Sequence, residues 1–177
     1  MTFTRNLFLL LILAASIIAC EPANKKDAAA IDAAENALFT PEDGMINKEK
    51  ALELVDMYIA YTDKYPDDSM AVEYLFKSAE FCLNLGEGRR AIELYDRVIM
   101  EYPNFHKVPE CFFLKGYVYE NYLNDLEMAK LIYTQFIERY PDNEFADDAQ
   151  VSIQNLGKSP EELIKQFEEQ QAISDPE

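Results

Sequence analysis

The chain has 177 residues, 33 of them acidic and 16 basic, for a formal net charge of −17. That balance excludes nucleic acid as a partner, because phosphate binding needs a basic footprint, and it works against attraction to anionic lipid headgroups. An apolar content of 49% at this length suits one domain with a real hydrophobic core.

The first element in chain order is an export signal over residues 1–19. A short polar start carrying Arg5 leads into an apolar run from Leu7 to Ile18, then small residues and a cysteine, which is the layout of a secretory signal peptide. A membrane-spanning helix needs about 20 apolar residues. This run is shorter, and the polar segment Glu21 to Asp27 closes it.

The run Ile17-Ile18-Ala19-Cys20 resembles the bacterial lipobox, although Leu followed by Ser or Ala is commoner there than Ile-Ile. The resemblance implies cleavage before Cys20 and acylation, palmitate included, of its thiol and new amino group. A thiolate is the side-chain nucleophile best suited to take a lipid near neutral pH, and two or more acyl chains anchor stably where one does not. An ordinary cleavable signal followed by a chance cysteine is the alternative. Loss of Arg5 with the signal takes the net charge from −17 to −18. Residues 20–46 are Ala-rich and polar and read as the lipidated N-terminus and a flexible tether, with at most a transient helix across Ala28 to Phe39.

A repeat domain over residues 47–172 follows. Tyr-Pro occurs at Tyr65-Pro66, Tyr102-Pro103 and Tyr140-Pro141. Another tyrosine stands seven residues before each (Tyr58, Tyr95, Tyr133), a small or branched apolar residue six after (Ala71, Val108, Ala146), and an acid eight after (Glu73, Glu110, Asp148). Apolar residues before each Tyr-Pro fall at helical spacing, as in Ile92, Tyr95, Val98 and Ile99. Proline disfavours the helical conformation of the residue before it, and Asp67-Asp68, Asn104 or Asp142-Asn143 then offer caps and turns. The pattern predicts helices over 47–64, 69–85, 89–102, 108–122, 126–140, 144–156 and 160–172, in an all-α chain. Ser159-Pro160-Glu161-Glu162 has a capping-box signature, and Gly157 stands where a left-handed residue ends the preceding helix. Residues 173–177 read as a disordered tail.

These columns resemble the tetratricopeptide repeat, whose consensus is Trp-x2-Leu-Gly-x2-Tyr on a first helix, then Ala-x3-Phe and a final Pro on a second. The best unit here has Phe112-x2-Lys115-Gly116-x2-Tyr119, then Ala129-x3-Tyr133 and Pro141. The preceding one has Leu75-x2-Ser78-Ala79-x2-Cys82, then Ala91-x3-Tyr95 and Pro103. The first shows only its second helix, Leu54-x3-Tyr58 with Pro66. The resemblance implies antiparallel helical hairpins in a right-handed superhelix, about two and a half repeats plus a C-terminal capping helix. A lipoprotein signal ahead of such units also resembles BamD-type and CpoB-like (YbgF-like) envelope proteins. It implies a scaffold or assembly factor that binds other envelope proteins. The chain is shorter than BamD-type proteins, so no individual binding residue carries over. Glu21 follows the cysteine where an aspartate retains lipoproteins in the inner membrane, which implies an outer-membrane address; a periplasm-facing anchor is the expectation, with the cell exterior as the alternative.

In such stacks the first helix of each unit lines a concave, partner-binding face. The repeat frame places Glu73, Phe76, Lys77 and Glu80 there from one unit, and Glu110, Phe113, Tyr117 and Glu120 from the next. An apolar floor of Phe76, Phe113 and Tyr117 rimmed by acids would suit a basic and aromatic partner segment; ordinary core aromatics under a solvated acidic face are the alternative. Nothing calls for a cofactor or an enzyme. His106 is the sole histidine and falls in a turn, no metal-ligand spacing is present, and no glycine-rich phosphate loop occurs. Cys82 and Cys111 stand eight residues out of step in the repeat, ~12 Å of helix rise, farther than a disulfide spans, so both read as buried free thiols. A glycan-capturing accessory lipoprotein of an outer-membrane transporter is the alternative function; Tyr58, Tyr95 and Tyr133 clustered on an open face, and not turned inward, would favour it.

Overall fold

The computed structural model describes residues 23–39 and 46–174. The expected signal peptide over residues 1–19, Cys20 and residues 175–177 of the expected tail lie outside the described residues, as do 21–22 and 40–45 of the expected tether. Among the described residues there are eight helices: α1 (Ala23–Phe39), α2 (Lys48–Lys64), α3 (Ser69–Asn84), α4 (Gly88–Glu101), α5 (Val108–Asn121), α6 (Leu126–Arg139), α7 (Ala146–Asn155) and α8 (Pro160–Ser174). The ends of α2 to α8 fall within two residues of those expected from the repeat pattern.

The punctuation follows from local chemistry. Each tyrosine before a proline sits just past its helix in the same backbone conformation: φ −131° and ψ 56° at Tyr65, −129° and 59° at Tyr102, −134° and 57° at Tyr140. The proline ring excludes the helical basin there, yet each tyrosine N–H still donates to the carbonyl four residues back. Asp68 caps α3 by accepting from the Met70 N–H at 2.9 Å, and Asp125 caps α6 by accepting from Met128 at 3.1 Å. At α8 the Ser159 hydroxyl accepts from the Glu162 N–H while the Glu162 carboxylate accepts from the Ser159 N–H, a reciprocal capping box. Gly157 has φ +75°, the left-handed residue that ends α7.

Over Ala23–Phe39 the tether expectation is corrected: the segment is a 17-residue helix docked on α2. Ile31 and Leu38 are buried against α2, with Ala28 and Ala34 packed beside them. Small residues let two backbones approach closely, so a stripe with only two large apolar groups suffices when polar contacts hold the rest. Lys64 Nζ meets Asp27 at 2.7 Å, Tyr65 Oη donates to the same carboxylate at 2.9 Å, and Asn24 Nδ2 donates to Asp68 at 2.8 Å. The start of α1 therefore lies against the end of α2 and the start of α3, and Phe39 lies near Phe81 at the other end. Antiparallel to α2 and parallel to α3, α1 occupies the first-helix position of the first unit. Three complete hairpins result (α1–α2, α3–α4, α5–α6), followed by α7 and α8.

The turns accordingly fall on two edges. The start of α1 and the three Tyr-Pro turns form one, stitched by Tyr102 Oη donating to the Pro66 carbonyl at 3.1 Å. The opposite edge carries the turns after α3, α5 and α7, where Lys48 pairs with Glu87 at 2.8 Å.

Inside each hairpin the recurring tyrosine of the second helix is wholly buried: Tyr58, Tyr95 and Tyr133 are each 0% exposed. Close approach makes room for the ring. A Cβ added to Gly116 would come within 2.6 Å of the Tyr133 ring, and Ala79 holds the same column in the unit before. The hydroxyls differ. Tyr133 Oη donates to Glu120 at 2.9 Å and Tyr58 Oη donates to Glu35 of α1. Tyr95 Oη has no partner among the described residues, because Leu83 stands in its unit where Glu120 stands in the next. Lys115 takes a consensus apolar column and is nearly buried, its ammonium reaching Asp96 of α4.

Two predictions follow from this packing. In thermal unfolding, Tyr58→Phe and Tyr133→Phe each lose about 1.5 kcal/mol with their charge-assisted hydrogen bonds, while Tyr95→Phe is neutral or stabilising. Gly116→Ala lowers stability by about 1–3 kcal/mol, because the Tyr133 ring cannot leave its buried site to admit a methyl group; an unchanged midpoint would contradict the close approach.

Candidate protein-docking face

The first helices of the units, α1, α3, α5 and α7, form one continuous face, joined by contacts that pass from each to the next. Lys77 Nζ of α3 meets Glu35 of α1 at 2.9 Å. Lys107, just before α5, places its ammonium 4.2 Å from the Phe76 ring centroid of α3. Phe113 of α5 stacks on Phe145, at the start of α7, with centroids 5.0 Å apart.

The eight residues assigned from the repeat frame do fall on these helices, but they divide by environment. Phe76 is not an open floor. It is 1% exposed, packed against Tyr95 and Phe105 and covered by Lys107. Phe113 is half-buried, closed over by Tyr133, Phe136 and Phe145. Packing claims both rings because the first helix of each unit must bury a side against its own second helix and against the next unit. Lys77 is committed to Glu35, with its ammonium 5.8 Å and 5.7 Å from the Tyr58 and Tyr74 ring centroids. Glu120 is committed to Tyr133.

That leaves Glu73, Glu80, Glu110 and Tyr117 as the residues the face can offer. The three carboxylates are half-buried and make no ion pair or hydrogen bond with a described residue. Burial pushes the Glu80 carboxyl up, Lys107 pulls it down, Glu110 pushes it up again and Lys77 opposes. The net shift is upward because burial outweighs the pull of the two lysines, and a further cation brought in by a partner would favour the ionised form. Tyr117 is 39% exposed and lies 6.1 Å from Tyr122, which is 42% exposed; together they form an aromatic step at the far end of α5.

Sequence reasoning missed Glu35, Lys107 and Tyr122. The i, i+3, i+7, i+10 series Ala28, Ile31, Glu35, Leu38 was the available signal for α1. Lys107 and Tyr122 sit in turns outside the repeat columns. Tyr58, Tyr95 and Tyr133, whose clustering on an open face would favour glycan capture, face inward as core residues. His106 is exposed in the turn before α5, its ring 4.6 Å from Phe105. Cys82 and Cys111 are free and buried, and burial raises their thiols to about 11 and about 12.

Comparison with known proteins agrees with this geometry. Residues 110–143, which span α5 and α6, match the tetratricopeptide repeat family. No curated protein matches the chain. The fold is an all-α, tetratricopeptide-like helical repeat, a class whose general role is to bind other proteins.

The polar contacts that hold α1 make its docking depend on pH. Hydrogen bonds from Lys64 and Tyr65 hold the Asp27 carboxyl below its ordinary value. The Met70 N–H and the Asn24 amide do the same for Asp68. Burial raises Glu35, but the hydrogen bonds from Tyr58 and Lys77 outweigh it and the net shift is downward. A carboxyl with a lowered folded pKa contributes stability that is fully present above its unfolded value and is lost as pH falls through the folded one. Hydrogen-exchange protection of α1, corrected for intrinsic rates, is therefore expected to hold from pH 8 to about 5 and to fall below about pH 4, before that of α3 to α6. Glu35→Gln should move that loss to higher pH; protection that survives to the pH at which the whole domain unfolds would refute the polar clamp.

Proposed function

We propose that the chain is a lipid-anchored scaffold or assembly factor of the bacterial cell envelope. Cys20 holds it to the outer membrane on the periplasmic side, and its first-helix face docks a segment of another envelope protein. The observation that carries the docking part is the set Glu73, Glu80 and Glu110, three half-buried carboxylates without a described cationic partner. The occupant that suits them is a segment bearing Lys or Arg, with an aromatic or apolar side chain to cover Tyr117. The anchoring part rests on the lipobox-like Ile17-Ile18-Ala19-Cys20 and on Glu21 after it.

A photo-crosslinking residue at Tyr117 or Glu73 should capture an envelope protein in cells, and one at Leu131, exposed on α6, should not. Glu110→Lys should weaken binding of the captured protein by ~10-fold at low salt, with the difference shrinking as ionic strength rises. Cys20→Ala should release the protein from the membrane fraction. Equal capture from Tyr117 and Leu131 would exclude the assigned face. Phe113→Ala is unsuitable for this purpose, because its ring is packed into the core of the third hairpin.

A further inference from the structure

We infer that the Tyr-Pro edge of the repeat stack is the side turned toward the lipid surface, so that the docking face opens sideways, alongside the membrane. This rests on the reading of Cys20 as an acylated anchor, and it adds an orientation which that reading does not contain.

The argument starts from the helix found at Ala23. Three peptide units separate Cys20 from Ala23, and an extended chain spans at most ~3.6 Å per residue, so the reach is at most ~11 Å. The first turn of α1 is not free to swing on that leash. Asp27 is bound to Lys64 and Tyr65 at the end of α2, and Asn24 is bound to Asp68 at the start of α3. Whatever holds Cys20 at a bilayer therefore holds the Tyr65-Pro66 turn beside it. The next turn follows through Tyr102 Oη on the Pro66 carbonyl. The opposite edge lies one helix away, and 17 residues of helix are ~25 Å long. Lys25 and Lys26, both exposed, stand at the near end of α1, facing the headgroups.

With that edge down, the helices stand up from the surface and the units follow one another along it. Glu73, just past the first turn of α3, and Glu110, in the first turn of α5, then lie close to the headgroups, and Glu80 and Tyr117 farther out. A partner segment that reaches these residues is one presented within a helix length of the bilayer, such as the membrane-proximal part of another anchored or embedded protein.

The test places a fluorophore on each edge of the full mature protein. Asp67 is exposed in the Tyr65-Pro66 turn and Arg89 is exposed at the start of α4. Buried Cys82 and Cys111, with thiols raised to about 11 and about 12, should not compete with Asp67→Cys or Arg89→Cys for a thiol-reactive dye. After reconstitution into phosphatidylcholine vesicles bearing a headgroup-linked quencher, the dye at position 67 should be quenched ~3-fold more than the dye at 89, given the ~25 Å between edges. Inserting about twelve Gly/Ser residues after Glu21 should bring the ratio near one, because the leash then exceeds the height of the stack. Equal quenching without the insertion, or stronger quenching at 89, would overturn the orientation. Intact mass of the same preparation separates the two readings. Acyl mass on Cys20 with equal quenching leaves the anchor and removes the orientation, whereas absence of acyl mass removes both.

Discussion

A proline that follows a tyrosine is the constraint from which the rest of this molecule is built. At residues 65, 102 and 140 it excludes the helical basin, and the chain leaves the helix in the same conformation within a few degrees each time. Because the exit geometry repeats, the next helix returns at a repeatable angle, and the same columns meet in each unit. That is why Tyr58, Tyr95 and Tyr133 can all be wholly buried with their rings against a small residue or an aromatic neighbour. A buried tyrosine also imposes a polar requirement, since its hydroxyl must find an acceptor or go without. The outer two units meet it with Glu35 and Glu120. The middle unit does not, and Tyr95 is the place where repetition of the ring outran repetition of its partner.

Much of this was legible in the sequence, and the exceptions share a cause. Helices α2 to α8 were readable because proline, cap residues and apolar spacing act locally and agree with one another, and Gly157 and the Ser159–Glu162 box took the conformations their chemistry implies. Helix α1 was not readable, because its stability is mostly tertiary. Ile31 and Leu38 alone would not hold a helix against water; the carboxylates and amide that clamp it meet partners 23 to 44 residues away. A composition rich in Ala, Lys and Asp describes a solvated tether equally well until those partners are in place. The face was half legible for a related reason. The repeat frame says which helix a residue is on and roughly which way it points, and all eight residues lie on the first helices of their units, α3 and α5. It does not say how tightly the next unit closes. Phe76 and Phe113 point toward the face, but Lys107 and Phe145 cover them, and both covering residues come from turns that the consensus leaves unspecified.

The distribution of charge carries the functional argument further than the total does. With 33 acids against 16 bases, cations are scarce, and the structure places several of them between second helices. Arg90 of α4 reaches Asp56 of α2, and Arg97 of α4 reaches both Asp63 of α2 and Glu101 on its own helix. Lys115 is drawn inward to Asp96. These pairs fix adjacent units to one another on the outer side. On the first-helix side, Lys77 is taken by Glu35 and Lys107 lies over a ring, while Glu73, Glu80 and Glu110 are left half-buried without a direct ion pair among the described residues. Solubility alone would be served by acids on the fully exposed outer surface, where water screens them at little cost. Carboxylates held partly out of water cost more to ionise, and the raised Glu80 carboxyl shows that cost at one position. A basic segment laid along α3 and α5 would offset it at Glu80, and the same acids would repel an acidic one. Under the proposed docking role, a preference for basic segments would follow from where the few cations are used to hold the stack together.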